Sequence, residues 1–312
     1  MPGYDLAYVA LAVRDTEAAA RFLGGSLGLP RRDLDAGGHP VPGFGIGRAA
    51  LAVFDAADPF LDAPARPGVH HIGLAADDPA AALRRHGLTA VAQGRGLAGG
   101  DQAVIAGAAT CGIRTRFTTP LGLSGGGAAV PRLDHLGIAS ADNKAAIRVF
   151  VDNLGCALES QQTDLQILNA VETFTSDKYP VVHHNQPAQV IGGLRDTFIT
   201  VGDCELEFLQ DFDPNLTPRQ AQHHKPGDTK GDQSAIAAYV AKYGPGLHHI
   251  AFKTTDIDAL LPRLASEGWR MLDTAGRPGG RASRIGFVHP ANFGGGLLVH
   301  FVQRVDPDRD EG

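Results

Sequence analysis

The feature that most narrows what this chain can fold into is a phrase that recurs four times. "LAYVALAVRDTEAAARFLGGSLGL" (6–29) is echoed by "LDHLGIASADNKAAIRVFVDNLGC" (133–156). "VHHIGLAADDPAAALRRHGL" (69–88) is echoed by "LHHIAFKTTDIDALLPRLASEGW" (247–269). Each copy opens on a short apolar strand, turns through polar residues and continues into an amphipathic, Ala- or Leu-rich helix. Asp15 or Thr16, and Ser140 or Asp142, are suited to cap the helices at their N-termini, while Gly28 and Gly155 stand where a glycine releases the C-terminus.

Short segments with strand character follow each helix: "AALAVFD", "GIRTRFTTP", "DTFITVGDCELEFLQ" and "SRIGFVHP…GGGLLVHFVQ". Each module therefore reads as one strand, one helix and about three further strands. The Gly/Pro-rich stretch "PLGLSGGGAAVP" (120–131) joins two pairs of modules. The fold class expected is α+β, four βαβββ modules paired into two domains. Boundaries are expected at 1–122 and 132–305, with a linker at 123–131 and a tail at 306–312.

Composition removes several function classes. With 28 Lys and Arg against 34 Asp and Glu, the formal charge is −6, which gives no electrostatic footprint for nucleic acid or an anionic membrane. The three cysteines, Cys111, Cys156 and Cys204, form no CxxC spacing, and no leader or long apolar run is evident, so a cytoplasmic setting is expected. The partners expected are a small-molecule substrate, no nucleic acid and no membrane, with a homodimer left open.

Paired βαβββ units resemble the vicinal oxygen chelate superfamily, which includes glyoxalase I, methylmalonyl-CoA epimerase, extradiol dioxygenases and bleomycin-resistance proteins. The resemblance covers nearly the whole chain. It implies that each pair closes into a cup-shaped eight-stranded mixed sheet with helices outside, and that metal ligands project inward from the first and last strands of each module. In the second half those positions carry His135 ("LDHLGIA"), Glu207 ("CELEFLQ"), His249 ("HHIAF") and His300 ("LLVHFVQ"). Alternation along a strand puts His248 and His249 on opposite faces, so His248 is expected to turn away from the cup. A lone histidine in an apolar strand is ordinarily a hydrogen-bonded core residue, but a buried carboxylate such as Glu207 is costly unless paired or metal-bound. In the first half the same positions carry Tyr8, Ala52, His71 and Arg116, so that domain is expected to be metal-free, with His71 structural.

Three imidazoles and a carboxylate suit one divalent metal ion such as Zn, Ni, Co, Fe or Mn. The function this implies is Lewis-acid stabilisation of an enolate, for epimerase, isomerase or lyase chemistry on a small carbonyl or acyl-thioester substrate. The second half is most similar to methylmalonyl-CoA epimerase, but that family usually has glutamate where this chain has His300 and glutamine where it has Glu207. Glu205 and Glu159 are the candidate catalytic carboxylates, with Glu172 also considered. Arg277 is the candidate for holding an anionic substrate group, alongside Arg281. The doublets His183-His184 and His223-His224 fall in two insertions, 163–191 and 213–243, that could form lids. Two alternatives stand: a non-haem Fe(II) dioxygenase of the extradiol or hydroxyphenylpyruvate type, and a protein that sequesters a drug or metabolite.

Overall fold

The structure, a computed structural model, describes residues 3–61, 65–168, 171–187, 189–211 and 229–304. The four repeats are four βαβββ modules. In the first, β1 (Leu6–Val13) leads to α1 (Thr16–Ala20), a π-helical turn, and then β2 (Arg31–Asp35), β3 (Pro40–Ile46) and β4 (Ala49–Asp55). The second runs β5 (Gly68–Ala75), α2 (Pro79–Arg85), β6 (Ala90–Arg95), β7 (Asp101–Ile105) and β8 (Thr115–Thr118). These eight strands form one mixed sheet in the order β2-β3-β4-β1-β5-β8-β7-β6. The two modules thus meet where their first strands pair antiparallel, Ala10 opposite His71.

The second half repeats this plan. Its third module comprises β9 (Leu133–Ser140), α3 (Asn143–Ala146), β10 (Ala157–Leu168), β13 (Gln189–Val201) and β14 (Cys204–Asp211). A two-stranded hairpin, β11 (Val171–Phe174) with β12 (Val182–Asn185), is inserted between β10 and β13. The helix α4 (Thr229–Tyr243) precedes β15 (Gly246–Lys253), α5 (Ile257–Ser266), β16 (Arg277–Gly279), β17 (Ser283–Val288) and β18 (Val299–Arg304). The sheet order is β10-β13-β14-β9-β15-β18-β17-β16, with β9 and β15 antiparallel at its centre.

An aspartate caps each of the four module helices. Asp15, Asp78, Asp142 and Asp256 accept hydrogen bonds from backbone N–H groups of the first turn, satisfying donors that have no partner inside the helix. Gly28 and Gly155 follow the first and third helices at φ +69° and +74°, the left-handed conformation that ends a helix without a Cβ clash. The outer faces of both sheets and their helices merge into one apolar core, in which Phe22 of the first half lies edge-on to Trp269 and Phe293 of the second. The Gly/Pro-rich joint is pinned: Gly125 N donates to Gly47 O at 2.9 Å, and Val130 is fully buried. Among the described residues no helix is long and apolar enough to cross a membrane.

Candidate metal centre

The register of the second sheet explains why its polar residues meet. His249 lies opposite Gly137 on β9, Glu207 lies beside the same Gly137 from β14, and His135 and His300 flank Ala251. Four strands therefore deliver four side chains to one face around two small residues. Gly137 is required there: a Cβ on it would stand 2.0 Å from the His249 ring. The three histidines are buried, at 4–5% exposure, and their donor nitrogens lie within 4.8 Å of one another. His135 Nε2 is 3.2 Å from His249 Nε2 and 3.1 Å from His300 Nε2. Glu207 Oε2 joins on the side of His135 and His249, at 3.1 and 3.5 Å.

These spacings can be tested against a metal. Donors about 2.1 Å from one ion stand about 3.0 Å apart at right angles and about 3.4 Å apart in a tetrahedron. The observed 3.1–3.5 Å falls on that scale. Three imidazole nitrogens and a carboxylate oxygen facing one another in a buried space are a set of electron-pair donors that a cation can satisfy together. The residues present fit a divalent metal.

Electrostatics prepares the set. Burial opposes ionisation of Glu207, yet His135 and His249 hold its carboxyl well below the usual carboxylate range. Burial also favours neutral His135, but Glu207 and Asp134 overcome it and raise the imidazole to about 9. His249 and His300 are pushed down, chiefly by burial. Asp134 is 1% exposed and sits behind His135, 2.8 Å from its Nδ1. Burial works against its charge, but His135, Arg304 and Arg281 hold it down at about 2. This carboxylate fixes the Nδ1–H tautomer and leaves Nε2 free to act as a donor atom, the outer-sphere arrangement common to metal-bound histidines. His300 departs from that pattern, since its Nδ1 is buried without a hydrogen bond.

Other expectations need correction. His248 does not turn away: a bulge in the β9–β15 register between Leu247 and His249 places it on the cavity wall, 3.1 Å Nδ1 to Nδ1 from His249. An unpaired extra residue breaks the simple alternation of faces. Glu205 and Glu159 do not line the cavity. Arg281 ion-pairs with both, Glu159 at 3.1 Å, and Arg304 lies 3.8 Å from Glu205. Arg281 links both carboxylates to Asp134, Glu159 from the exposed surface. Glu172 and His184 face each other at 3.5 Å on the exposed β11–β12 hairpin, with His183 beside Thr173. His223 and His224 lie outside the described residues.

The cavity beside the four donors has a volume of about 200 Å³. Its apolar wall includes Ile285, Phe287, Leu298 and Val302, with Ile236 of α4 across from them. Two acidic residues that the repeat pattern did not single out also line it. Asp196 is 3% exposed, its Oδ2 accepts from Gln162 Nε2 at 3.0 Å, and its Oδ1 has no hydrogen-bond partner. Gln162 Nε2 also reaches Asp164, at 3.2 Å. Burial, with Glu207 and Asp164 close by, pushes Asp196 up to about 8. The only signal for Asp196 in the sequence was the break in apolar alternation at "LRDTFIT". Arg277 lines the cavity, its Nε 3.4 Å from Asp273.

Comparison with known proteins agrees with this architecture. Residues 134–287 match the family model for the glyoxalase/bleomycin resistance protein/dioxygenase superfamily. Over 98% of the chain and 94% of the other, the fold superposes on a mutant 4-hydroxymandelate synthase from Streptomyces coelicolor, with a TM-score of 0.59 and 16% identity. Residues 134–287 therefore match a domain of this superfamily, also called vicinal oxygen chelate, and the two halves together share the fold of that synthase. An ethylmalonyl-CoA/methylmalonyl-CoA epimerase from Cereibacter sphaeroides is 26% identical over 172 residues, covering 54% of this chain and 96% of that protein. The uncharacterized protein YqjC from Bacillus subtilis is 26% identical over 180 residues, covering 58% and 95%.

Proposed function

We propose that the chain is a divalent-metal-dependent enzyme of the epimerase, isomerase or lyase kind, acting on a small carbonyl or acyl-thioester compound. In this reading His135, Glu207, His249 and His300 hold one metal ion. What carries the reading is the convergence, from four strands, of three histidines whose donor nitrogens lie within 4.8 Å of one another, with Glu207 Oε2 at 3.1 and 3.5 Å from two of them. Zn, Ni, Co, Fe and Mn all suit such a donor set. A bound ion supplies Lewis acidity toward a carbonyl oxygen, the charge stabilisation that enolate chemistry requires.

The chain's own residues account for the rest. Asp134 orients His135. Asp196 Oδ1 takes and returns the proton α to the carbonyl: it is buried, it opens on the cavity, and Gln162 holds the other oxygen in place. An acid whose pKa lies near the working pH is suited to both halves of such a transfer. Phe287, Leu298 and Ile236 exclude water from the proton in flight. The epimerase named among the relatives supports this chemistry over others.

Metal analysis of reconstituted protein, followed by solvent-deuterium exchange and oxygen uptake with candidate carbonyl compounds, tests the reading. Exchange α to a carbonyl without oxygen uptake is the expected result. Oxygen consumption would turn the conclusion to a non-haem iron dioxygenase. Protein that takes up no metal would leave sequestration of a small molecule.

A further inference from the structure

Among the described residues three arginines line the cavity, and two are committed to carboxylates of the chain. Arg304 binds Asp134 at 2.7 Å, and Arg281 is shared among Asp134, Glu159 and Glu205. Arg277 is different. Its Nε, Nη1 and Nη2 are all buried, and none makes a hydrogen bond. The nearby Asp273 offers an ion pair at 3.4 Å, but its other oxygen accepts from Phe287 N at 2.9 Å. The Phe287 ring lies 5.2 Å from the guanidinium carbon. A guanidinium carries five donors in a rigid fork, and leaving them unpaired away from water is costly. Such a group is expected to meet an anionic ligand.

Glu207, Asp196 and Asp164 line the cavity from β14, β13 and β10, and Arg277 lines it from β16, two strands from His300 on β18. Glu207 is engaged by His135 and His249, so an anionic group entering the cavity would be drawn to the guanidinium. A volume of about 200 Å³ is below the usual range for ligand pockets, roughly 300–1,000 Å³.

We propose that the substrate is a small organic acid, whose carboxylate is held by Arg277 while its reacting carbonyl end lies toward the histidines and Asp196. This deepens the metal-enzyme reading and rests on it for the orientation of the substrate. Arg277 is then a specificity-determining residue. It selects for a carboxylate at a fixed number of bonds from the carbonyl, and neutral analogues lose the charge-assisted pair of hydrogen bonds.

Calorimetric titration of the full chain, metal-loaded and metal-free, tests this with oxaloacetate, 2-oxoglutarate and 2-oxoadipate, each against its ω-amide. The pairs share the same 2-oxo acid head and differ only in distal charge. At least one diacid should bind the wild type about tenfold or more tightly than its amide. Arg277→Gln should abolish that preference with metal content unchanged, and Arg277→Lys should keep part of it. Equal affinity within every pair, or a preference that survives Arg277→Gln, overturns the proposal. Absence of metal uptake would sink the metal reading alone, since the charge preference is also read in the metal-free protein.

Discussion

The two cups of this chain share a lattice and differ in what stands on it. Strand register makes the comparison position by position: Ala10 faces His71 and lies beside Ala52, as Gly137 faces His249 and lies beside Glu207. Gly73 faces Tyr8 and lies beside Arg116, as Ala251 faces His135 and lies beside His300. In the first cup each polar group finds a partner within the chain. Tyr8 OH and His71 Nε2 are 2.9 Å apart, and Arg116 donates to Gln102 Oε1 and to the Phe60 carbonyl. Phe60 stacks on Phe54, and Leu61 and Leu97 are buried in the same apolar cluster. In the second cup the donors face one another and a cavity. One backbone plan yields internally paired polar groups or a cluster of donors beside a cavity according to a few inward-facing residues, which is why fold alone does not assign function.

The comparison is broken most directly at its two matched histidines. His249→Ala should abolish metal uptake, and His71→Ala should leave it unchanged, as read by elemental analysis of reconstituted protein. The opposite pattern would place the active half at the wrong end of the chain.

The matched positions were legible in the sequence because both devices involved are local. A period of two along a strand fixes which residues share a face, and the repeat supplies the same strand four times. What was not legible depends on pairings that neither device encodes. Asp196 and Gln162 meet because β10 pairs with β13 in one register, Gln162 opposite Asp196. His248 enters the cavity through a bulge. Glu205 and Glu159 are paired by Arg281, which reaches them from a turn where Arg281 and Ala282 adopt φ of +53° and +51°. Arg281 N also donates to Gln162 Oε1 at 3.1 Å, so this turn closes the cup by joining one edge of the sheet to the other. No spacing rule predicts contact between edges separated by the whole width of a sheet.

A second difference between the cups lies behind the first-strand residue. Asp134 supports His135, whereas Ala7 stands behind Tyr8. Asp134→Asn should weaken metal binding about 10–100-fold, the usual cost of losing such an outer-sphere partner. Because Arg281 and Arg304 would lose a buried counter-ion, the variant's melting temperature should fall as well. Competition with a chelator of known affinity measures the first effect separately from the second.

Proton competition gives a third separation. In the metal-free protein His135 is held up to about 9, so its imidazolium stabilises the fold fully below the ordinary histidine value, about 6.5, and loses that contribution as pH rises through about 9. A metal ion requires the neutral ring. Metal affinity should therefore rise by up to about tenfold per pH unit between 7 and 9 and then level off. Thermal melts with and without metal across that range should diverge as pH increases. His71, which burial holds well below its ordinary value, should contribute no such slope.

The smallest expected effect belongs to the packed cup and tests whether it is only a core. Tyr8→Phe keeps the ring that fills the space opposite Gly73, where a Cβ would lie 2.4 Å from Tyr8, and removes only the hydroxyl. His71 Nε2 would then be buried without its partner, at a cost of about 1–3 kcal/mol. Chemical denaturation should show this loss as a lower midpoint at unchanged slope, while metal content and chelator competition stay at wild-type values. If metal binding fell along with stability, the two cups would be energetically coupled through their shared apolar core, and the first could no longer be regarded as an independent, silent copy.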